Sequence, residues 1–415
     1  MPEAFIIDTC RTPRGIGKPG RGALAHLHPQ HLAATVLKAI RDRNDLDTAD
    51  IEDVIWSTST QKGKQGIDLG RQAALYAGYD VKASGVTLDR FCGGGVTAVN
   101  FGAATVMSGM GDLVVAGGTE MMSYLAQAGA EEAAAGLKAL GITAGNRRLM
   151  DMHPQSHQGV CADAIAAMEG ITRRDVDALA CESQDRARIS IAEGRFARSV
   201  VPVLNDDGSI ALDREEFPRP ETTMETLGAL KTSFDGLADY AVDGITFRQI
   251  IQRKYPSLNW LGVHHAGNSS GVVDGAAAVL LASKAYAQRK GLKPRARVVA
   301  FGNLGDCPTL MLNAPVPAAR KVLALAGLEP DDIDLWEVNE AFAVVTEKFI
   351  RDLRLDRHKV NVNGGACALG HPIGATGAIL IGTVLDELER RDLKRGLITM
   401  CAAAGMAPAI IIERV

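Results

Sequence analysis

Short apolar runs ending in glycine turns alternate with helix-spaced segments along most of this chain, and their order recurs. Phe5–Asp8 reads as a strand, and a helix follows from about Pro29 to Arg43. Asp50-Ile51-Glu52-Asp53-Val54-Ile55-Trp56 then runs from an acidic turn into a strand. About 280 residues later the passage returns: Pro317–Ala326 is helical, and Asp331-Asp332-Ile333-Asp334-Leu335-Trp336 repeats the acidic turn and strand.

The recurrence continues at nearly the same offset. Val86–Asp89 enters Cys92-Gly93-Gly94-Gly95 and a small-residue helix through Met107, after which Leu113–Ala116 ends in Gly117-Gly118. In the second half Val360–Val362 enters Gly364-Gly365, a helix spans about Gly374 to Arg390, and Leu397–Met400 ends in Cys401-Ala402-Ala403-Ala404-Gly405. This order predicts a duplicated α/β unit rather than plain alternation of strand and helix. Small residues crowd both helices (Ala98, Gly102, Ala103, Ala104; Gly374, Ala375, Gly377, Ala378), which predicts burial between two sheets in a layered core. Between the halves the texture changes. Tyr124–Arg148 is rich in Ala and Gly and weakly helical, Val176–Phe196 is a charged amphipathic helix, and Asp206–Tyr240 is polar. The expected division is 1–120 plus 251–285 as one half, 121–250 as an inserted loop domain, and 286–415 as the other half.

Composition removes several function classes. With 45 Lys and Arg against 49 Asp and Glu, and no long run of either sign, the chain lacks the basic stripe of a nucleic-acid binder. No window reaches the length of a membrane helix, and Met1–Pro13 lacks the pattern of a secretory signal. The seven cysteines, at 10, 92, 161, 181, 307, 367 and 401, form no CxxC pair, which argues against a disulfide framework or zinc site and for a reducing, cytoplasmic compartment.

Two residues carry candidate chemistry on local grounds. Cys92 sits where a strand passes through glycines into a helix, and the free N–H groups of a helix N-terminus favour a thiolate there. Taken alone it reads more readily as a packed core thiol, the commoner fate of a lone cysteine. His371 titrates in the range needed to activate a thiol, and Pro372 stiffens its turn.

Taken together, Asp89-Arg90-Phe91-Cys92-Gly93-Gly94-Gly95, Asn339-Glu340-Ala341-Phe342, Gly370-His371-Pro372 and Cys401 before its small-residue run resemble the thiolase family over nearly the whole chain. Ala116-Gly117-Gly118-Thr119-Glu120, Ala266-Gly267-Asn268-Ser269-Ser270-Gly271 and Pro315-Val316-Pro317 support the match. The resemblance implies a duplicated α-β-α-β-α core and a coenzyme-A-dependent acyltransferase. Such an enzyme condenses acetyl-CoA with an acyl-CoA, or thiolytically cleaves a 3-ketoacyl-CoA, through an S-acyl Cys92. His371 would then accept the nucleophile's proton, and Cys401 would remove the α-proton of the second acyl-CoA. Asn339, through a water, and His371 would form one oxyanion hole, and the N–H groups of Cys92 and Ala403 the other, with Glu340 supporting as part of the polar network or else lying at the surface. His157 and Ser270 would flank the pantetheine arm and Lys231 would lie near the nucleotide, unless it is an ordinary solvated lysine. Acyl-CoA and coenzyme A are the implied partners, with no metal or electron-carrying cofactor, no nucleic acid and no membrane, and the assembly is a homodimer or homotetramer.

Two rivals remain at this stage. A decarboxylating ketoacyl synthase would carry a histidine where this chain has Cys401. A non-catalytic acyl-CoA-binding protein would have its site closed by Ala402–Ala404. The family usually has Ser or Ala where this chain has Gly93-Gly94, and glycines where it has Ala402-Ala403-Ala404, so the acyl cavity is expected to be narrowed there. The chain also exceeds typical members by about one helix around 240–262, with Phe247–Tyr255 as its body. Cys161 and Cys367 are expected to pack.

Overall fold

The computed structural model describes residues 3–137, 141–242 and 244–415. Nine principal strands follow the chain as β1 (Ala4–Arg11), β2 (Asp53–Ser57), β3 (Ser84–Leu88), β4 (Leu113–Met121), β5 (Val273–Ser283), β6 (Ala296–Gly305), β7 (Leu335–Val338), β8 (Arg395–Thr399) and β9 (Met406–Arg414). The helices used below are α1 (Pro29–Arg43), α2 (Leu69–Tyr76), α3 (Gly94–Ser108), α4 (Gln158–Met168), α5 (Arg173–Ala192), α6 (Pro315–Ala326), α7 (Ala343–Leu353) and α8 (Ile373–Arg390).

The strands join in the order β7-β8-β9-β6-β1-β5-β4-β2-β3. Each half lays its strands down the same way. In the first, β1–β5 and β5–β4 are antiparallel and β4–β2 is parallel; in the second, β6–β9 and β9–β8 are antiparallel and β8–β7 is parallel. The halves meet at β1–β6 through only two residue pairs, Phe5 with Arg297 and Ile6 with Ala296. The expected duplication is therefore present, and the two expected sheets are hydrogen-bonded at this seam into one path. One expected strand is missing. At Val360 the pairing shrinks to a single bridge with Trp336, because the chain turns at Asn361, whose φ is +48°.

Alternate residues of the central strands face different layers. Val279, Leu281, Ile398, Ile410 and Ile412 pack on Val96, Val99, Ala378, Ile381 and Leu385 of α3 and α8. The opposite faces of the same strands serve the outer layers: Leu280 joins Leu32, Val36 and Ile40 of α1, and Ile411 joins Val322 of α6 and Phe349 of α7. The result is five layers, α-β-α-β-α, with α3 and α8 in the middle.

The small residues predicted to be buried act at that middle layer. An added Cβ at Gly95 would lie 2.9 Å from the carbonyl oxygen of Gly374, and one at Gly377 would overlap the backbone nitrogen of Val96. The two helices thus cross backbone to backbone, which brings their N-terminal ends together.

Residues 122–272 leave this repeat and carry α4, α5 and short hairpins. The Ala/Gly-rich stretch is helical over Met122–Ala134, while residues 138–140 lie outside the described residues. The expected extra helix is present as Phe247–Gln252. No helix among the described residues is long and apolar enough to cross a membrane.

Candidate active site

Strand β3 delivers the chain to Phe91–Gly93, a single tight turn before α3, in which Phe91 takes the left-handed φ of +47°. This turn carries Cys92 and packs against the start of α8. From the other half come two neighbouring parallel strand ends. β7 leads to Asn339, whose N–H donates to Thr399 O at 3.2 Å, and β8 leads to Cys401. Gly370, at φ +90°, turns the chain so that His371 precedes the first turn of α8, and His371 N donates to Gly271 O at 2.9 Å. The turns bearing Cys92, His371 and Cys401 therefore converge where α3 and α8 begin, and the positions of Asn339 and Cys401 at parallel strand ends follow from the repeat.

Hydrogen bonding fixes the histidine. Thr376, one turn into α8, donates its hydroxyl to Pro372 O at 3.0 Å, so its oxygen is an acceptor for His371 Nδ1–H at 2.6 Å. That leaves Nε2 as the basic nitrogen, 3.4 Å from Asn339 Nδ2. The Asn339 Oδ1 is buried and meets no protein donor. Thr376 was not singled out from sequence; its spacing of five after His371 on a helix start was the available signal.

Burial controls the electrostatics. Cys92 is 8 % exposed, and burial pushes its thiol up to about 12, with the Glu120 carboxylate adding to the shift. This corrects the expectation of a resting thiolate: desolvation of the anion outweighs the helix N-terminus. Burial also lowers His371 to about 3, assisted by the buried Arg14 guanidinium, so the imidazole is neutral. Cys401 is held well above the ordinary thiol range by burial and then by the nearby Cys92. The resting site is an uncharged set of two thiols and one imidazole, and a charge on either sulfur opposes one on the other.

Two buried carboxylates brace the turns. Glu340 accepts from Ser183 Oγ at 2.7 Å, Asn361 Nδ2 at 2.9 Å and the Cys367 N–H at 3.1 Å. It lies inside, not at the surface, and ties α5 to the 361–367 turn. Glu120 accepts from Ser59 N, from Gln65 Nε2 and from Gly374 N, the last at 2.9 Å, anchoring the start of α8.

The departures at 93–94 and 402–404 face one another. A Cβ on Gly93 would lie 3.4 Å from the Ala402 methyl and 2.7 Å from Pro408 Cδ, while one on Gly94 would strike Ser57 Oγ. Methyl volume present at 402 is matched by its absence at 93. Ala403 is half-buried, and Ala404 holds a left-handed φ of +62°.

A cavity of about 780 Å³ opens among the loops, lined among others by Lys18, Phe217, Arg219, Leu230, Phe234 and Ser270; Cys92, His371 and Cys401 are not in its lining, and it adjoins them through Gly271, whose carbonyl accepts from His371 N. Ser270 is fixed there by its N–H to Ala341 O at 3.0 Å. Lys231 is exposed and does not join the lining, although Leu230 does. His157 is also outside the lining: it caps the N-terminus of α4 through Nδ1, and its ring packs 5.9 Å from those of Phe234 and Phe247. Cys161 and Cys367 are buried in the apolar cluster that also holds Cys401.

Comparison with known proteins adds the family. Residues 4–238 match the thiolase N-terminal domain and residues 292–414 the thiolase C-terminal domain. The chain is 39% identical to a 3-oxoadipyl-CoA/3-oxo-5,6-dehydrosuberyl-CoA thiolase of Escherichia coli, covering 100% of both chains. It is 37% identical to an acetyl-CoA acetyltransferase of Thiocystis violacea, covering 99% of this chain and 98% of that one. It is also 37% identical to a steroid 3-ketoacyl-CoA thiolase of Mycobacterium tuberculosis, covering 100% and 95%.

Proposed function

This chain belongs to the thiolase family, and is a coenzyme-A-dependent acyltransferase; from that premise we propose that Cys92 is its acyl-carrying nucleophile, His371 the base for that thiol, and Cys401 the acid–base group at the α-carbon. Thiol and imidazole start uncharged, so the Cys92 proton passes to His371 Nε2 as sulfur attacks the thioester, and coenzyme A leaves an S-acyl enzyme. The departing coenzyme A takes the Cys401 proton, and Cys401, now a thiolate, removes the α-proton of acetyl-CoA; the carbanion attacks the acyl group to give a 3-ketoacyl-CoA, and the Cys92 sulfur so released takes its proton back from His371. Thiolysis is the reverse. Negative charge on the thioester oxygens is taken up by the N–H groups of Cys92 and Ala403 in one step, and by His371 with an Asn339-held water in the other. Glu340 acts at a distance, by holding the 361–367 turn. The thioester activates its own α-carbon, so the reading calls on no metal. The observation that carries it is a neutral His371 locked by Thr376 through Nδ1, which leaves Nε2, beside Asn339 Nδ2, as its acceptor nitrogen.

The segment 121–250 is read as the loop domain that receives coenzyme A, with Ser270 at the pantetheine end of the cavity and Lys18 and Arg219 toward the phosphates. His157 acts by shaping the wall through Phe234 rather than by touching ligand, and Lys231 offers charge from outside the cavity. The protein is read as a cytoplasmic homodimer or homotetramer.

The deciding experiment separates the two half-reactions. Cys401→Ala is expected to gain an acetyl group on Cys92 by mass spectrometry, yet to exchange the α-protons of acetyl-CoA with D2O about 10³-fold more slowly. Undiminished exchange removes Cys401 from its role. A pH profile follows from the low His371 value: the base stays unprotonated at pH 5, so the acid limb of kcat/KM is expected below pH 5. A limb centred at 6.5 or above contradicts the neutral pair. Thr376→Val leaves His371 Nδ1–H without a buried acceptor, and kcat is expected to fall about tenfold or more, with Thr376→Ser retaining most of it.

A further inference from the structure

A thiol paired with a cation lies outside the site just described, where the 240–262 insert meets the loop after β6. Cys307 Sγ is 3.0 Å from Lys254 Nζ and 3.8 Å from the Tyr255 hydroxyl. An ammonium donates to this sulfur and a phenol faces it, and the form of cysteine that such a cation favours is the thiolate. Burial works against the anion, but the Lys254 hydrogen bond, helped by the Leu310 N–H, Tyr255 and the Thr309 N–H, outweighs it and holds the thiol below its ordinary range. Tyr255 moves the opposite way, up to about 12, through burial and through the sulfur it faces.

No other thiol of the chain is placed like this. Cys10, Cys92, Cys161, Cys367 and Cys401 are buried, and burial raises each of them. Cys181 is part-exposed but is raised by burial and by the neighbouring Asp185. Cys307 is part-exposed and Lys254 is exposed, so a small reagent has access to the sulfur.

We propose that Cys307 is a modification site, a nucleophilic thiolate that takes up low-molecular-weight disulfides on the outer side of the turn bearing Cys401. Its Sγ attacks one sulfur of RS–SR; the Cys307–S–S–R bond forms as the S–S bond breaks, and RS⁻ leaves and takes a proton from water. The cysteine is oxidised and the reagent reduced, with no further reactant. The position connects the adduct to the Cys401 turn. Asp306 N donates to Gly405 O at 2.6 Å, and a Cβ on Gly405 would lie 2.6 Å from Cys307 O, so this loop and that turn are in direct contact. An adduct also removes the anion that Lys254 and Tyr255 hold, releasing the insert from the loop.

The test is timed exposure of the full chain to glutathione disulfide at pH 7, with each cysteine quantified by peptide mass mapping and Cys181 as the internal reference. Cys307 is expected to be glutathionylated about tenfold faster than Cys181, the gain in thiolate fraction being partly offset by lower intrinsic nucleophilicity. Lys254→Gln is expected to bring the two rates within about twofold, and Lys254→Arg, which keeps a cation, to restore most of the difference. Equal rates in the unaltered protein, an undiminished Cys307 rate in Lys254→Gln, or failure of Lys254→Arg to restore it would each overturn the proposal.

Discussion

Cys92→Ala is expected to lower thiolase turnover by at least about 10⁴-fold and to erase the acyl adduct, while leaving the fold intact. The asymmetry follows from the position. The side chain sits in a turn whose path is set by Phe91 and by the glycines that follow, so losing Sγ changes no backbone constraint. It contributes one small group to an inner core made of many aliphatic side chains, so stability should barely change. What is lost is the atom proposed to be acylated, and neighbours cannot replace it: Cys401 is a neutral thiol assigned to the α-carbon, and a water in its place would hydrolyse rather than transfer. The measurement pairs turnover of acetoacetyl-CoA plus coenzyme A with intact-protein mass after incubation with substrate. Retention of more than about one per cent of turnover, or an acyl mass appearing on Cys401, would show that the two sulfurs had been given each other's work.

The second large effect is on the fold. Gly377→Val should abolish soluble folded protein, or lower its stability by about 4 kcal/mol or more. Overpacking in a core ordinarily costs about 1–3 kcal/mol because side chains shift to make room. Here the atom in the way is the backbone nitrogen of Val96, itself within α3 and packed on β4 and β5, so nothing flexible can yield. Opening the crossing would also separate the Cys92 turn from the start of α8, and any surviving protein should lose turnover with its stability. Thermal melting read beside activity checks both. A Gly377→Val protein that melts within a few degrees of the original would show the crossing to be looser than this geometry requires.

The contrast between those two residues explains what the chain discloses as plain text. Cys92, His371, Cys401 and Asn339 are each embedded in a local run of residues that sets their turn, so the turns could be read from order and spacing, and the roles proposed for them come from the resemblance those runs carry. Local context failed where the deciding term comes from elsewhere in space. The helix start beside Cys92 suggested a thiolate, but the surrounding aliphatic layer and Glu120 make the neutral thiol the stable form. Arg14 and Glu120 act on the site across element boundaries, and no run of sequence advertises that. Val360–Val362 looked like a strand because its apolar residues alternate as one would; Asn361 turns out of the sheet to donate Nδ2 to Glu340 and Val338 O, and the pairing ends at one bridge. Gly93 and Ala402 looked like two separate oddities, and contact turns them into one exchange of a methyl across an interface.

The narrow seam between β1 and β6 has a bearing on ancestry. Each repeat supplies one helix to the shared middle layer, and without its counterpart that helix and the sheet beneath it would show a broad greasy flank to water. A progenitor of half this length could hide that flank only by docking with a twin, and its reactive centre would have straddled the twofold axis. Within one chain the two copies are free to differ, and the first presents the sulfur proposed to be acylated while the second presents the groups proposed to manage protons.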